Sequence, residues 1–130
     1  MPIATGEFEV ALSPQPSTAE GVSRMALDKA FRGDLQASSL GEMLAVRTDV
    51  QGSAGYVAME RVTGSLHGRA GSFAMQHHGL MARGEPTLLV TVVPDSGTDA
   101  LQGLSGEMQI IIEDGRHGYR FDYALAETSD

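Results

Sequence analysis

Residues 54–82, AGYVAMERVTGSLHGRAGSFAMQHHGLMA, constrain the fold more than any other stretch of the chain. They read as two long strands joined by a tight corner. Glycine reaches positive φ without steric cost, so Gly68-Arg69 is the natural place for that corner. A turn there pairs His67 with Ala70, Gly64 with Phe73, Val62 with Met75 and Glu60 with His77. Residues facing each other across a ladder share one side of the sheet, with Cβ atoms about 4.5–5.5 Å apart. That side carries Tyr56, Ala58, Val62, Leu66, Phe73, Met75 and Met81. The pattern therefore predicts a carboxylate, Glu60, beside an imidazole, His77, on an otherwise apolar face. The other side, with Arg61, Thr63, Ser65, Gln76 and His78, is wetter and is expected to face solvent.

The rest of the chain repeats this grammar. Sixteen glycines are spread along its whole length and cut it into short segments instead of gathering in a linker. Period-2 segments bounded by turn residues point to an all-β sandwich or barrel. Gly6–Leu12 alternates Phe8, Val10 and Leu12 with polar or small residues and reads as a half-buried strand. Ser13–Gly21 is expected to be a loop. Val22–Phe31 is expected to be a strand with Met25, Leu27, Lys29 and Phe31 on one side, with a short helix as the alternative. Leu35–Thr48 is a further strand with a bend at Gly41. Pro86 and Pro94 bracket a strand at Thr87–Val93, apolar on both sides. Asp95–Gly106 is an irregular connection with one helical turn started by Thr98. Asp114-Gly115 is a strong type I′ signal. A hairpin closed there pairs Glu113 with Arg116, Ile110 with Tyr119 and Met108 with Phe121, which brings the apolar sets of both strands together. The sum is an antiparallel barrel of about eight strands, a size that holds packed side chains or one small ligand.

Composition excludes several classes of function. At 130 residues the chain is expected to be one domain, 1–130. A net charge of −8 with no basic run disfavours nucleic acid and anionic membranes. The absence of cysteine rules out disulfides, thiolate catalysis and cysteine-ligated metals. MPIATGEFEV has neither a basic nor an apolar leader region, and no apolar run reaches the roughly 20 residues of a spanning helix. A cytoplasmic protein is the expectation. His77 and His78 are adjacent and so point to opposite faces of a strand, and no H-x-H or H-E-x-x-H spacing exists. Neither a metal nor a cofactor is expected. Ser96 and Ser105 lie in turn sequences and read as turn formers.

With these strands in place, the chain resembles bacterial domain-of-unknown-function family 3224, a family with an allene oxide cyclase-like, calycin-like β-barrel. The residues that carry the likeness are LDKAFRGDL at 27–35, GEML at 41–44, GYVAMERVTGSLHGRAGSF at 55–73, QHHG at 76–79 and VVPDSGTDALQGLSG at 92–106. The resemblance implies an antiparallel barrel over nearly the whole chain and assigns no activity. Neither the substrate nor the catalytic residues of allene oxide cyclase carry over. Asp99 stands where the wider barrel pattern has glycine, which puts the left-handed turn there in question.

The candidate site follows from the barrel and its inward residues. Glu60 and His77 are the candidate acid and base. Lys29, Tyr56, Phe73, Met75, Tyr119, Phe121 and Tyr123 join them as candidate ligand-binding residues. The leading expectation is a protein that binds a small hydrophobic or amphipathic molecule in the barrel. An isomerase- or cyclase-like enzyme using Glu60 and His77 is the alternative. An oligomeric interaction module, a dimer or trimer joined through outward Val57, Met59, Leu89 and Val93, is a third.

Overall fold

The structure is a computed structural model and describes residues 2–125. Eight strands form a closed antiparallel barrel in chain order: β1 (Ile3–Gln15), β2 (Ser23–Gly33), β3 (Leu35–Arg47), β4 (Ala54–Leu66), β5 (Arg69–Ala82), β6 (Glu85–Val92), β7 (Ser105–Glu113) and β8 (Arg116–Ala124). β8 closes the barrel by pairing with β1. The expected strands are all present, and β1 runs on to Gln15 into the segment expected to be loop. β3 continues through Gly41, where the sheet curls so tightly that a Cβ would fall 2.7 Å from the Glu60 Cα.

Three hairpins use one local device. His67-Gly68, Arg83-Gly84 and Asp114-Gly115 all have positive φ at both residues, as a two-residue type I′ turn requires. The corner of the β4–β5 hairpin is therefore His67-Gly68, and the pairing expected from Gly68-Arg69 is corrected. Leu66 faces Arg69, Val62 faces Phe73, Glu60 faces Met75 and Ala58 faces His77. Each partner moves by two residues. An even shift leaves every side chain on its expected side of the sheet, whereas an odd one would have turned them all over. The β7–β8 hairpin has the expected register, with Glu113 facing Arg116 and Met108 facing Phe121.

The two ends of the barrel differ. At the base, the connection from β6 to β7 folds back over the opening. Its 3-10 turn, Asp99–Leu101, starts after Thr98 as expected. Asp99 keeps the left-handed backbone, at φ 54°, because a short polar side chain tolerates that region. Ser96 and Thr98 staple the connection to β5: the Ala74 and Ser72 amides donate to their hydroxyl oxygens, each at 3.0 Å. Leu101 and Leu104 are buried in one cluster with Leu35, Leu66 and Phe73. At the other end, the mouth, no segment among the described residues buries the inward side chains. The inward residues there are Leu12, Met25, Met43, Tyr56, Met81, Leu88, Ile110 and Ile112, and all are half-buried or exposed.

The barrel also has one weak seam. β6 pairs with β5 from Glu85 to Val92, but it meets β7 only through Val90–Met108 and Thr91–Glu107. Toward the mouth the facing edges of β6 and β7 are unpaired. That is why Pro86, which has no amide to donate, is tolerated inside β6. Native-state hydrogen exchange should find the amides of Thr87–Leu89 and Ile110–Ile112 that point across this seam the least protected in the barrel. Protection there equal to that of Ala58–Val62 would contradict the seam.

Candidate functional site

Four polar side chains meet inside the barrel, at the level where the packed base gives way to the mouth. Lys29 comes from β2, Ser39 from β3, Glu60 from β4 and His77 from β5. Alternation points each of them inward, and the ladders Lys29–Ser39, Ser39–Val62 and Ala58–His77 bring the four strands into register. All four are buried. Glu60 is the hub. Its Oε1 accepts from the Ser39 hydroxyl at 2.7 Å, and its Oε2 accepts from Lys29 Nζ at 2.8 Å and from His77 Nε2. Glu60 and His77 are diagonal neighbours on the ladder, and they meet because both chains of atoms lean into the same lumen. The Lys29 ammonium also lies 5.1 Å from the Phe8 ring centre and 5.8 Å from that of Phe31, favourable cation–π positions.

Burial alone pushes the Glu60 carboxyl up, because it penalises the charged form. The His77 hydrogen bond and the Lys29 charge and hydrogen bond outweigh that penalty and hold the group at about 2, down from the ordinary 4.5. Glu60 is therefore an anion at neutral pH and an acceptor only. It follows that His77 Nε2 carries the ring hydrogen bonded to Glu60. Among the described residues, His77 Nδ1 takes no hydrogen bond and Lys29 Nζ has no acceptor besides Glu60 Oε2. No buried side-chain nitrogen or oxygen among the described residues lacks a partner, so Nδ1 reaches accessible space.

The remaining candidates separate into two groups. Tyr56 belongs to the mouth side of the cluster. Its ring lies across Gly79, where a Cβ would fall 2.7 Å from the ring's Cδ1, and its centre is 6.4 Å from that of His77. Burial, and then the Glu60 charge, push the Tyr56 phenol up. Phe73, Met75, Tyr119, Phe121 and Tyr123 lie on the base side and are buried. Met75 is the direct ladder partner of Glu60. Phe73 stacks on Phe121 with ring centres 5.9 Å apart. Tyr119 spends its hydroxyl on the β2–β3 turn, accepting from the Leu35 amide and donating to the Arg32 carbonyl, each at 2.9 Å. Tyr123 spends its own on His67 Nδ1 at 2.5 Å.

Sequence reasoning missed Ser39, whose only signal is that it shares parity with Leu35 and Met43 in β3. It also missed that Lys29 closes an ion pair with Glu60. Among the described residues, no three His, Asp or Glu side chains gather closely enough to hold a metal ion. Val57, Met59 and Leu89 point outward and are about half exposed, in a strip with Leu44 and Leu80.

The chain matches the family described as Protein of unknown function (DUF3224) over residues 4–123. Among solved structures it is similar to a protein of unknown function from the DUF3224 family of Shewanella oneidensis MR-1. The two are 50% identical, the match covers 98% of this chain and 99% of that one, and the TM-score is 0.94. No curated protein matches.

The polar cluster makes two predictions. The Glu60 carboxyl is depressed in the fold and ordinary in the unfolded chain. Its ionisation therefore stabilises the protein above about pH 4.5, and the contribution fades as pH falls toward about 2. Urea titrations at pH 7 and pH 3 should show wild type losing about 2 kcal/mol more than Glu60→Gln; equal losses would contradict the pairing. Removing one partner leaves a buried charge unpaired, so Glu60→Leu should cost about 3–5 kcal/mol at pH 7. Lys29→Met should restore part of that loss in the double variant. Additive losses in the cycle would mean that the two groups do not interact.

Proposed function

The chain belongs to the DUF3224 family, whose description assigns no activity, and within that family we propose that this barrel binds a small, largely apolar molecule through its mouth. The apolar body lies among Leu12, Met25, Met43, Tyr56, Met81 and Leu88. Its polar group rests on the floor formed by Lys29, Glu60 and His77. Met75, Phe73, Tyr119, Phe121 and Tyr123 back that floor from beneath and keep it rigid.

One observation carries the reading. Side chains that point into a barrel are ordinarily its core, yet here Leu12, Met81, Leu88 and Ile112 point inward and remain 42–68% exposed. Inward apolar surface left wet at one end, above a floor with unspent hydrogen-bonding groups, is the composition of a ligand site. The floor has more donors than acceptors to spend. It favours a molecule whose polar end is an oxygen acceptor.

Titration with the neutral fluorescent dye N-phenyl-1-naphthylamine tests this. Met43 and Met59 lie on neighbouring strands at similar height, Met43 inward and Met59 outward. Met43→Asp places a carboxylate against the apolar body of the ligand and should weaken dye binding about tenfold or more. Met59→Asp should leave it unchanged. Loss through the outward substitution alone, or no dye binding by wild type, would overturn the proposal.

A further inference from the structure

The floor of the mouth has its unspent groups arranged in a particular way. Among the described residues His77 Nδ1 has no partner, and Glu60 holds the ring by its other nitrogen. Lys29 is bound to the same carboxylate oxygen, Oε2, and its ammonium has no second hydrogen-bond acceptor among the described residues. A ring with a free acceptor nitrogen and a cationic hydrogen-bond donor are thus held on one carboxylate oxygen, from β5 and from β2. In the neutral ring the tautomer is set: Nε2 bears hydrogen and Nδ1 bears the lone pair. A carboxylate fixed on the far nitrogen orients such a ring and stabilises the cation formed when Nδ1 takes a proton.

We infer that the site removes a proton from the carbon next to the carbonyl group of an apolar ketone or aldehyde. The inference rests on the binding reading above and adds a reaction to it. The carbonyl oxygen accepts from Lys29. His77 Nδ1 removes a proton from the adjacent carbon. The C–H electron pair becomes the new C=C bond, and the C=O π pair moves onto oxygen as an enolate facing the Lys29 ammonium. Return of a proton to the same carbon gives exchange. In a substrate whose double bond lies one carbon further on, return to the distant carbon gives an isomer. No oxidant, reductant or further reactant is needed. His77 and Lys29 touch the substrate. Glu60 is a positioning residue, and Ser39 holds its second oxygen.

Exchange of 2-tetralone hydrogens in D2O, followed by proton NMR, tests the inference. The protein should accelerate exchange at the carbon beside the carbonyl by about a hundredfold or more over buffer. His77→Ala and Lys29→Met should each lose most of that gain, and outward-facing His78→Ala should keep it. Glu60→Gln keeps an oxygen acceptor for the ring but not the charge. It should lower the exchange rate. A dye that binds normally while exchange stays at the buffer rate would overturn this inference and leave the binding proposal standing. Failure of both would remove both. Should a variant fail to fold, the wild type still decides: added 2-tetralone should move the 15N resonance of His77 Nδ1 and not those of His78, and an unmoved Nδ1 would overturn the inference.

Discussion

A single carboxylate organises the interior of this barrel. Glu60 is buried where an isolated charge would be far too costly, and three donors from three other strands make its ionised form the favoured one. The arrangement ties β2, β3, β4 and β5 to one point. It also means that the level of the cluster cannot be filled by apolar packing, because Lys29 and His77 occupy it. The hydrophobic core is displaced to one side of that level, toward the base, where Phe73, Phe121, Leu35, Leu66 and the folded-back connection close the barrel.

The mouth is the complement of that core. Above the cluster the inward positions of β3, β4 and β5 include four small ones, Gly41, Ala45, Ala58 and Gly79, interleaved with Met43, Tyr56 and Met81. Small residues let the sheet curl and let Tyr56 lie flat across β5. They also leave the large inward side chains at the rim without partners across the lumen. The exposure of Leu12, Met81 and Ile112 and the splaying of β6 from β7 follow from the same shortage of packing volume. A binding function gives that shortage a purpose, and the unspent nitrogens of the floor give the occupant a direction.

The barrel class and the side of the sheet on which each residue lies were legible because alternation is a local signal that survives errors in register. Glu60 and His77 were placed two residues from their true register, since positive φ at both turn positions admits His67-Gly68, and the pairing follows the turn. The two still meet because the error was even. Ser39 and the Lys29–Glu60 pair were not legible. They depend on four strands being staggered around a closed lumen, and alternation within a strand says nothing of height relative to a strand two places away. For the same reason Tyr119 and Tyr123 could not be told from Tyr56. All three alternate inward, and only the connection Val93–Leu104, stapled by Ser96 and Thr98, decides which end of the barrel is closed.

The methionines offer the most direct test of the central claim, that the occupied space is the mouth above the Glu60 cluster. Met25, Met43 and Met81 point into the mouth, Met75 and Met108 lie in the packed half, and Met59 is outside. In a protein carrying 13C-labelled methionine methyl groups, saturating N-phenyl-1-naphthylamine should shift the Met25, Met43 and Met81 signals and leave Met59 in place. Shifts confined to Met59, with the three mouth methyls unmoved, would contradict the account.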